Sequence, residues 1–425
     1  MRLLRTEYKV ENNLPIVYLF TRDENGKRTI KKDSSLVPYY YIQSDNKESH
    51  YISIDGLPLL KIETQLPSDV ADQRGNYKHT WEADVLFPLR FLIDKVDSLE
   101  KTKPRIMFLD IEVLPKGGRF PDPKIAQEPI ICMAVHDNLD DMFVSFAYRA
   151  DLTPGTTTKM FKDKLHEIRY FRTEIDMLKD FIKYFRENSP DVLSGWNLKR
   201  FDLTYLLNRM YLLGMPLNQL SPIDSAYMRE DKDIEIKGVA LVDLYDAYRL
   251  LSSGEEESFK LDFIAKKVIG EGKTDAETNI AYLYKFDLDA LINYNATDVY
   301  INKGIDDKLG LLDFMDEVRR LAFCRLEDVL ATSRVSDAYI LRLFHGKKIF
   351  PTKEKHEREA FEGALVGSWA KGLYDNVAAF DVKSLYPSLI VSANLSPEVM
   401  DEYFDWKNNH KDMTMKQYIS EFVKE

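Results

Sequence analysis

The chain has 425 residues, of which 44% are hydrophobic and 30% charged, with a formal net charge of -11 and a pI near 5.4. Its length allows two to four domains with their own cores, and its composition is ordinary for a globular protein. The acidic balance is not the basic footprint of a typical nucleic-acid binder, but metal-dependent nucleases and polymerases concentrate acid at their sites, so it does not exclude one. Two cysteines and no run of 18 apolar residues exclude a disulfide framework, a cysteine zinc site and a membrane span. Because the first residues also lack an apolar signal core, we expect a cytoplasmic protein.

Residues 1 to about 103 alternate short strand-like runs with turns, as in IVYLF at 16–20 and VPYYYI at 37–42. This pattern predicts a small N-terminal domain that is α/β or mostly β. The aromatic run at Tyr39, Tyr40 and Tyr41 favours strand core, and a base-stacking platform is the alternative.

The stretch PRIMFLDIEVL, residues 104–114, is rich in apolar and β-branched residues and predicts a buried strand. Asp110 and Glu112 lie two residues apart, so their side chains point to the same face of that strand. Two such carboxylates repel each other and are costly to desolvate unless a cation offsets their charge. A divalent metal site is one interpretation, and a strand end that reaches water is the other.

Strands and helices alternate from this point. Further strands are predicted at 129–137, 141–149 and 191–196, helices at 174–188 and 202–214, and a strand running into a helix at 238–250. The segment from about 281 to 345 is predicted to be mainly helical. This order is typical of an α/β fold in which helices cover the faces of a sheet.

Three more candidate residues follow the acidic strand. Asp202 begins a predicted helix, where a carboxylate either caps free N–H groups or, at a strand's carboxyl end, contributes to an α/β site. Tyr294 and Asp298 are four apart on a predicted helix and share a face, a pattern that by itself is usual for a half-exposed surface. A strand pair, a helix-start Asp and a helical Tyr/Asp pair can nevertheless converge on one point.

Four carboxylates and a phenol are the groups that two-metal hydrolysis of a phosphodiester requires. In order and spacing they resemble the tyrosine-bearing DEDD 3′–5′ exonucleases, with Asn197 and Phe201 in the second motif. The resemblance makes these two residues candidates for DNA contact, although packing is the favoured role of Phe201. The resemblance implies that Asp110, Glu112 and Asp298 hold two Mg²⁺ or Mn²⁺ ions. It also implies that Asp202 holds the second ion partly through water and that Tyr294 orients the attacking water.

The sequence FDVKSLYPSLI, residues 380–390, resembles the first palm motif of the family B DNA polymerases. The resemblance implies that Asp381 binds catalytic metal and that Ser384, Leu385 and Tyr386 line the incoming nucleotide. The preceding VAAFDV is predicted to be a strand. FEGA is similar to the family's linker motif, which implies DNA contacts for Phe361, Gly363 and Ala364, although Phe361 lacks the hydroxyl of the usual Tyr.

The resemblance covers essentially the whole chain. The N-terminal part resembles the archaeal branch, whose members sense template uracil in a pocket that would lie around Val37–Tyr41. The expected fold class is α/β and multidomain. It comprises a small N-terminal α/β domain at 1–103, completed by about 309–345, an RNase H-like exonuclease domain at 104–308, and a partial palm at 346–425.

The sequence contains neither the family's fingers motif nor its second palm motif, Asp-Thr-Asp. We therefore expect the N-terminal part of a family B DNA polymerase that edits DNA 3′ ends and shares its polymerase site with a second polypeptide; a truncated piece is the alternative explanation. Expected partners are primer-template DNA, a single-stranded 3′ end, dNTPs, that second polypeptide and, through it, a sliding clamp. The competing functions are a stand-alone 3′–5′ exonuclease and an inactive DNA-binding relative.

Overall fold

The computed structural model describes residues 1–116, 119–228, 234–252, 256–272, 279–353, 367 and 371–393. The chain divides into two compact units, Met1–Lys355 and His356–Glu425. None of the helices in the described ranges has both the length and the apolar character needed to cross a bilayer.

The strands of the first unit are β1 Leu3–Glu11, β2 Leu14–Arg22, β3 Arg28–Asp33, β4 Tyr39–Gln43, β5 Tyr51–Ile52, β6 Pro58–Glu63, β7 Ile106–Val113, β8 Ile130–Asp137, β9 Met142–Tyr148, β10 Gly155–Phe161, β11 Lys164–Phe171, β12 Val192–Gly195, β13 Ala226–Met228, β14 Ile234–Ile236 and β15 Ala240–Asp243. The helices are α1 Pro67–Gln73, α2 Phe87–Lys95, α3 Glu174–Asn188, α4 Asp202–Leu212, α5 Leu244–Leu251, α6 Leu261–Ile269, α7 Ile280–Phe286, α8 Leu288–Leu309, α9 Leu311–Ala322 and α10 Thr332–Phe344.

Two small antiparallel sheets, in the orders β1-β2-β3 and β4-β6-β5, form the N-terminal part. Tyr39, Tyr40 and Tyr41 are 7%, 0% and 6% exposed, so the prediction of strand core is confirmed for this run. Phe323 and Ile349, which are distant in sequence, complete the apolar cluster of these sheets. The N-terminal core is therefore built from separate parts of the chain.

A seven-stranded sheet organises the rest of the unit, in the order β10-β11-β9-β8-β7-β12-β15. The strand β7 pairs antiparallel with β8 and parallel with β12. It is thus an interior strand, hydrogen-bonded on both edges, which is consistent with its apolar sequence.

Helices cover both faces of this sheet, as predicted. One apolar cluster joins alternate residues of β7, such as Leu109 and Ile111, to α3 and α4. The other joins Phe108 of β7 to α5, α6, α8 and α9. Since successive strand residues point to opposite faces, Asp110 and Glu112 lie on the same side of the sheet as α8.

A buried ion-pair network ties the N-terminal strands to this sheet. Nε of Arg22 on β2 lies 2.6 Å from Oδ2 of Asp191, and Nε of Arg28 on β3 lies 3.1 Å from Oδ1 of the same carboxylate. Asp191 immediately precedes β12 and is 4% exposed. A buried charge of this kind is tolerated only because its partners are also held in place, so the network fixes the position of the N-terminal strands.

Several strands of the structure are not predicted by the periodicity of the sequence. The hairpin β10–β11 reads TTTKMF and KLHEIRYF, and β10 is an exposed edge strand with a polar sequence that lacks apolar alternation. Such strands are specified by their neighbour more than by their own residues.

In the second unit, the described stretch 371–393 contains helix α11, Leu385–Ser392. The predicted strand VAAFDV, residues 377–382, is wrong for this structure, because these residues form no strand. An apolar stretch becomes a strand only when another strand provides its hydrogen bonds.

Two buried histidines predict a specific pH dependence of stability. His136 on β8 and His166 on β11 are both 0% exposed, and burial lowers the pKa of each to about 4, helped by the charge of Lys303 near the first and of Lys159 near the second. In the unfolded chain histidine titrates near 6.5, so between pH 6.5 and 4 the unfolded state binds more protons than the folded state. The two neutral histidines therefore leave the folded state at its full stability above pH 6.5, and the free energy of unfolding decreases as the pH falls toward 4.

We expect wild type, compared with H136Q/H166Q, to lose on the order of 2 kcal/mol more unfolding free energy per histidine between pH 7.5 and 5.0. Urea unfolding of both proteins at the two pH values measures this. Using the difference between the proteins cancels the contribution of buried carboxylates, whose raised pKa values act in the opposite direction. Equal losses in the two proteins would contradict the assignment.

Candidate active site

The centre of the site is the pair of half-buried carboxylates on β7. Asp110 pairs with Ala134 of β8, and Glu112 pairs with Cys132. Side chains directly opposite in an antiparallel pair share a face, so these two small residues lie beside the carboxylates and leave room in front of them. Burial, together with the negative charges of Glu112 and Asp110, raises the pKa of the Cys132 thiol and keeps it neutral.

The third carboxylate comes from the helix that crosses this face. Asp298 lies on α8 and is 4% exposed, and one carboxylate oxygen from each of Asp110, Glu112 and Asp298 lies within 4.8 Å of the others. The side chain of Asp287 accepts a hydrogen bond from the Ala290 amide at the start of α8, which caps the helix. The predicted convergence of the strand pair with Asp298 is therefore present in the structure.

Asp202 joins the strand to the second motif. It is the first residue of α4 and is 4% exposed, and its Oδ1 accepts a hydrogen bond from the Ile111 amide of β7 over 3.1 Å. Burial raises the pKa of Asp202 to about 7, and the charges of Asp243 and Asp298 add to this effect. The Ile111 amide that it accepts from lies between Asp110 and Glu112 in the sequence. Helix capping alone therefore does not account for Asp202.

The loop that precedes Asp202 is held by a residue that sequence reasoning missed. Asp243, at the end of β15, is 0% exposed and accepts hydrogen bonds from the amides of Asn197 over 3.0 Å and Lys199 over 3.2 Å. It also caps α5 through the Tyr245 amide. Burial raises the pKa of Asp243 to about 6. The sequence pattern that could have identified Asp243 is an Asp between an apolar strand and an amphipathic helix.

Of the four predicted carboxylates, Asp202 is not in the set that meets within 4.8 Å. The two predicted aromatic residues lie on the elements that carry Asp298 and Asp202. Tyr294 is half-buried on α8, one turn before Asp298. Phe201 packs against the apolar core, and its ring centroid lies 5.1 Å from that of Phe120.

Phe120 was also missed by sequence reasoning, and it is 81% exposed. Its only signal in the sequence was an aromatic residue in a loop rich in Gly and Pro after the acidic strand. An exposed ring supported by Phe201, directly before Asp202, is a platform on which a flat base can stack.

The donor set suits a hard divalent cation. Carboxylate oxygens are the ligands that Mg²⁺ and Mn²⁺ prefer, and three of them meet here from two different elements. Three close carboxylates on a half-buried face repel each other, and a cation would remove that repulsion. The residues present therefore fit the metal that the sequence predicts.

The predicted nucleotide-binding residues lie in the second unit. Asp381, Ser384, Leu385 and Tyr386 are exposed within residues 371–393, and Ser384 has a left-handed backbone with φ of 51° at the start of α11. Phe361, Gly363 and Ala364 lie outside the described residues.

Two family patterns match the chain. The one described as DNA polymerase family B, exonuclease domain, matches residues 82–264, and the one described as DNA polymerase family B matches residues 328–425. The chain belongs to the family B DNA polymerases. The residues Asp110, Glu112 and Asp202 fall inside the first match and Asp381 inside the second, whereas Asp298 lies between them.

Curated relatives of this family B polymerase chain include both phage and archaeal proteins. The DNA-directed DNA polymerase of Enterobacteria phage T4 is 28% identical over 93% of this chain and 47% of its own length. That of Escherichia phage RB69 is 28% identical over 74% of this chain and 38% of its own length, and the DNA polymerase of Pyrococcus glycovorans is 25% identical over 94% and 55%. The chain spans about half the length of the curated relatives it matches.

The fold is similar to a solved structure as well. The family B DNA polymerase from Pyrobaculum calidifontis matches with a TM-score of 0.67 and 20% identity, over 85% of this chain and 52% of that one. The predicted α/β fold with an RNase H-like exonuclease domain is confirmed by this likeness and by the family match. The finer domain boundaries at 103, 308 and 346 stay predictions.

Close packing beside the acidic strand makes Gly195 a sensitive position. A Cβ atom there would lie 2.6 Å from the carbonyl oxygen of Leu109, the residue before Asp110. We expect G195A to push β12 away from β7 and to lower the unfolding free energy by about 1–3 kcal/mol.

The matched control is G155A, since Gly155 lies on the exposed strand β10 and a Cβ atom there meets nothing within 4 Å. Its effect should stay within about 0.5 kcal/mol. Urea unfolding of the three proteins makes the comparison, and equal stability of G195A and wild type would show that β12 is not held against β7.

Proposed function

We propose that this chain hydrolyses the 3′-terminal phosphodiester of DNA and releases nucleoside monophosphates, as a proofreading 3′–5′ exonuclease. The observation that carries the proposal is the meeting of Asp110, Glu112 and Asp298 within 4.8 Å, with Tyr294 one turn away on the same helix. The presence of a family B exonuclease domain in this region supports it.

In the proposed mechanism Asp110, Glu112 and Asp298 would hold two Mg²⁺ or Mn²⁺ ions, and Asp202 would help to hold the second. When bound, such a metal pair supplies a water of lowered pKa and neutralises charge on the leaving oxygen. The Tyr294 hydroxyl hydrogen-bonds the water and aligns it with the phosphorus. Phe120, supported by Phe201, stacks the terminal base and holds the strand end in place.

We further propose that Asp381 contributes to a polymerase site whose other carboxylates lie outside these 425 residues, either on a second polypeptide of a split enzyme or in a further part of the same protein. No Asp-Thr-Asp sequence occurs among the 425 residues, and one carboxylate cannot hold two metal ions against a triphosphate. Ser384, Leu385 and Tyr386 then line the dNTP in the completed site. The exposed apolar residues around Asp381, such as Phe380 at 95% and Val391 at 81%, offer a surface that the rest of the polymerase site would cover.

The exonuclease proposal predicts that wild type shortens 5′-labelled single-stranded DNA in Mg²⁺ and that D110N/E112Q loses this activity by more than about 100-fold, since both direct ligands are removed. The substitutions keep side-chain size and remove like charge, so the melting temperature should stay at or above that of wild type. Denaturing gels and thermal unfolding measure the two effects.

A control variant, D45N/E48Q, removes one Asp and one Glu from an exposed loop and should leave the activity unchanged. If wild type does not shorten DNA, the DNA-binding alternative without catalysis gains support. If D110N/E112Q stays active, the nuclease site lies elsewhere.

The polymerase proposal predicts that the chain alone does not extend a primer with dNTPs at any Mg²⁺ concentration. Adding a polypeptide that carries the Asp-Thr-Asp palm motif should restore extension, and D381N should abolish it while leaving DNA shortening intact. Extension by the 425-residue chain alone would contradict the shared site. If no polypeptide with the Asp-Thr-Asp motif restores primer extension, the stand-alone exonuclease is favoured.

A further inference from the structure

Asn295 is a buried neutral residue in contact with the acidic cluster. It lies on α8 between Tyr294 and Asp298, it is 0% exposed, and its Nδ2 lies 2.7 Å from Oδ2 of Asp110. An ionised carboxylate can only accept hydrogen bonds, so the amide N–H of Asn295 faces it as the donor. The contact joins α8 directly to the strand that carries the carboxylate pair.

We propose that Asn295 is a positioning residue for the metal site, an inference that rests on the proposed exonuclease function. By donating to one oxygen of Asp110, it stops rotation of the carboxylate and leaves the other oxygen for a divalent cation shared with Glu112 and Asp298. Contacts of this kind, from a residue that does not itself ligate, orient the ligands of metal sites and strengthen binding.

The chemistry of the amide explains why a neutral donor suits this position. A Lys or Arg here would also hold Asp110, but its charge would offset the carboxylates and compete with the cation. An Asp or Glu would add to the repulsion and could not donate when ionised. The amide orients the carboxylate and leaves the net charge of the cluster for the cation to neutralise.

The amide of Asn295 has a hydrogen-bond partner on one side only. Its Oδ1 is buried and has no hydrogen-bond partner in the described part of the chain. Leaving a buried polar atom unsatisfied is unfavourable for folding, and an apolar side chain of similar size would avoid it. At Asn295 the hydrogen bond from Nδ2 to Asp110 offsets part of this cost, and this bond is the basis of the proposed positioning role.

Asn302 provides a matched control on the same helix. It lies about two turns beyond Asn295 and is also 0% exposed, and neither of its amide atoms has a hydrogen-bond partner among the described residues. It shares the residue type, the helix and the burial of Asn295 but makes no hydrogen bond to an acidic residue of the cluster. Any effect of simply removing a buried Asn from α8 should therefore appear in N302A.

The test measures binding of Mn²⁺ alone to the full chain by calorimetry, for wild type, N295A, N295L and N302A. We expect the two Asn295 variants to bind Mn²⁺ about tenfold more weakly than wild type and N302A to bind as wild type does. N295L keeps most of the side-chain volume, so it guards against a cavity that would unfold N295A. Thermal unfolding confirms that each variant is folded at the temperature of the titration.

Exonuclease kinetics give a second readout that a purely structural role would not move. In N295A and N295L the Mg²⁺ concentration for half-maximal rate should rise about tenfold, while KM for single-stranded DNA stays unchanged and kcat approaches that of wild type at saturating Mg²⁺. A structural role would instead lower the melting temperature of the Asn295 and Asn302 variants alike without changing the metal requirement.

The outcomes separate this inference from the proposed function. If wild type binds Mn²⁺ but does not degrade DNA, the exonuclease proposal fails, and the Mn²⁺ affinities of the variants still decide the role of Asn295. If folded N295A and N295L bind Mn²⁺ within twofold of wild type, the positioning role is wrong. Absence of Mn²⁺ binding by wild type would overturn it too, since there would be no metal site to position.

Discussion

The repulsion between carboxylates held together on one face of a buried strand is the constraint on which the candidate site depends. Two unit charges at 4.8 Å, the separation within which Asp110, Glu112 and Asp298 each place an oxygen, repel by about 3 kcal/mol at an effective dielectric constant of 20. A flexible chain would relieve this by moving the charges apart. Here Asp110 and Glu112 are held because β7 pairs with β8 along this stretch and the Ile111 amide between them donates to Asp202. Asp298 is held because α8 is packed across the sheet. The fold therefore holds three carboxylates in an arrangement that suits a divalent cation.

Residues around the acidic cluster hold its strands and loops in place but are not part of the cluster. Gly195 lets β12 approach the backbone of β7 next to Asp110, and Asp243 fixes the loop that leads into Asp202. Farther out, Asp191 links the N-terminal arginines to the start of β12, so the N-terminal strands and the sheet support each other. Each of these contacts depends on a buried carboxylate or on a glycine. A buried carboxylate lowers the folding stability unless its hydrogen-bond and ion-pair partners are in place. Rigidity around the acidic cluster is therefore obtained from several separate parts of the chain.

The two acidic motifs of this polymerase-family chain differ in what the described residues place around them. Around Asp110 the described residues supply three converging carboxylates, a neighbouring Tyr294, a buried amide donor at Asn295 and an exposed ring at Phe120. Around Asp381 they supply exposed apolar residues and a helix beginning at Leu385. Residues 377–382 pair with no other strand among the described residues, and strand structure needs a neighbour as well as suitable residues.

By itself the sequence determined the elements that depend on local rules. A period of two placed Asp110 and Glu112 on one face of a strand, a spacing of four placed Tyr294 and Asp298 on one face of a helix, and the alternation of strands and helices indicated the covered sheet. Only the tertiary structure decided which distant groups meet: the contact of Asp202 with β7, the support from Asp243, the donor at Asn295 and the ring of Phe120. These residues carry no periodic signal, because their roles depend on how the sheet orders its strands and where α8 crosses them. The edge hairpin β10–β11 escaped prediction for the same reason, since its strands are specified by pairing with β9 and with each other.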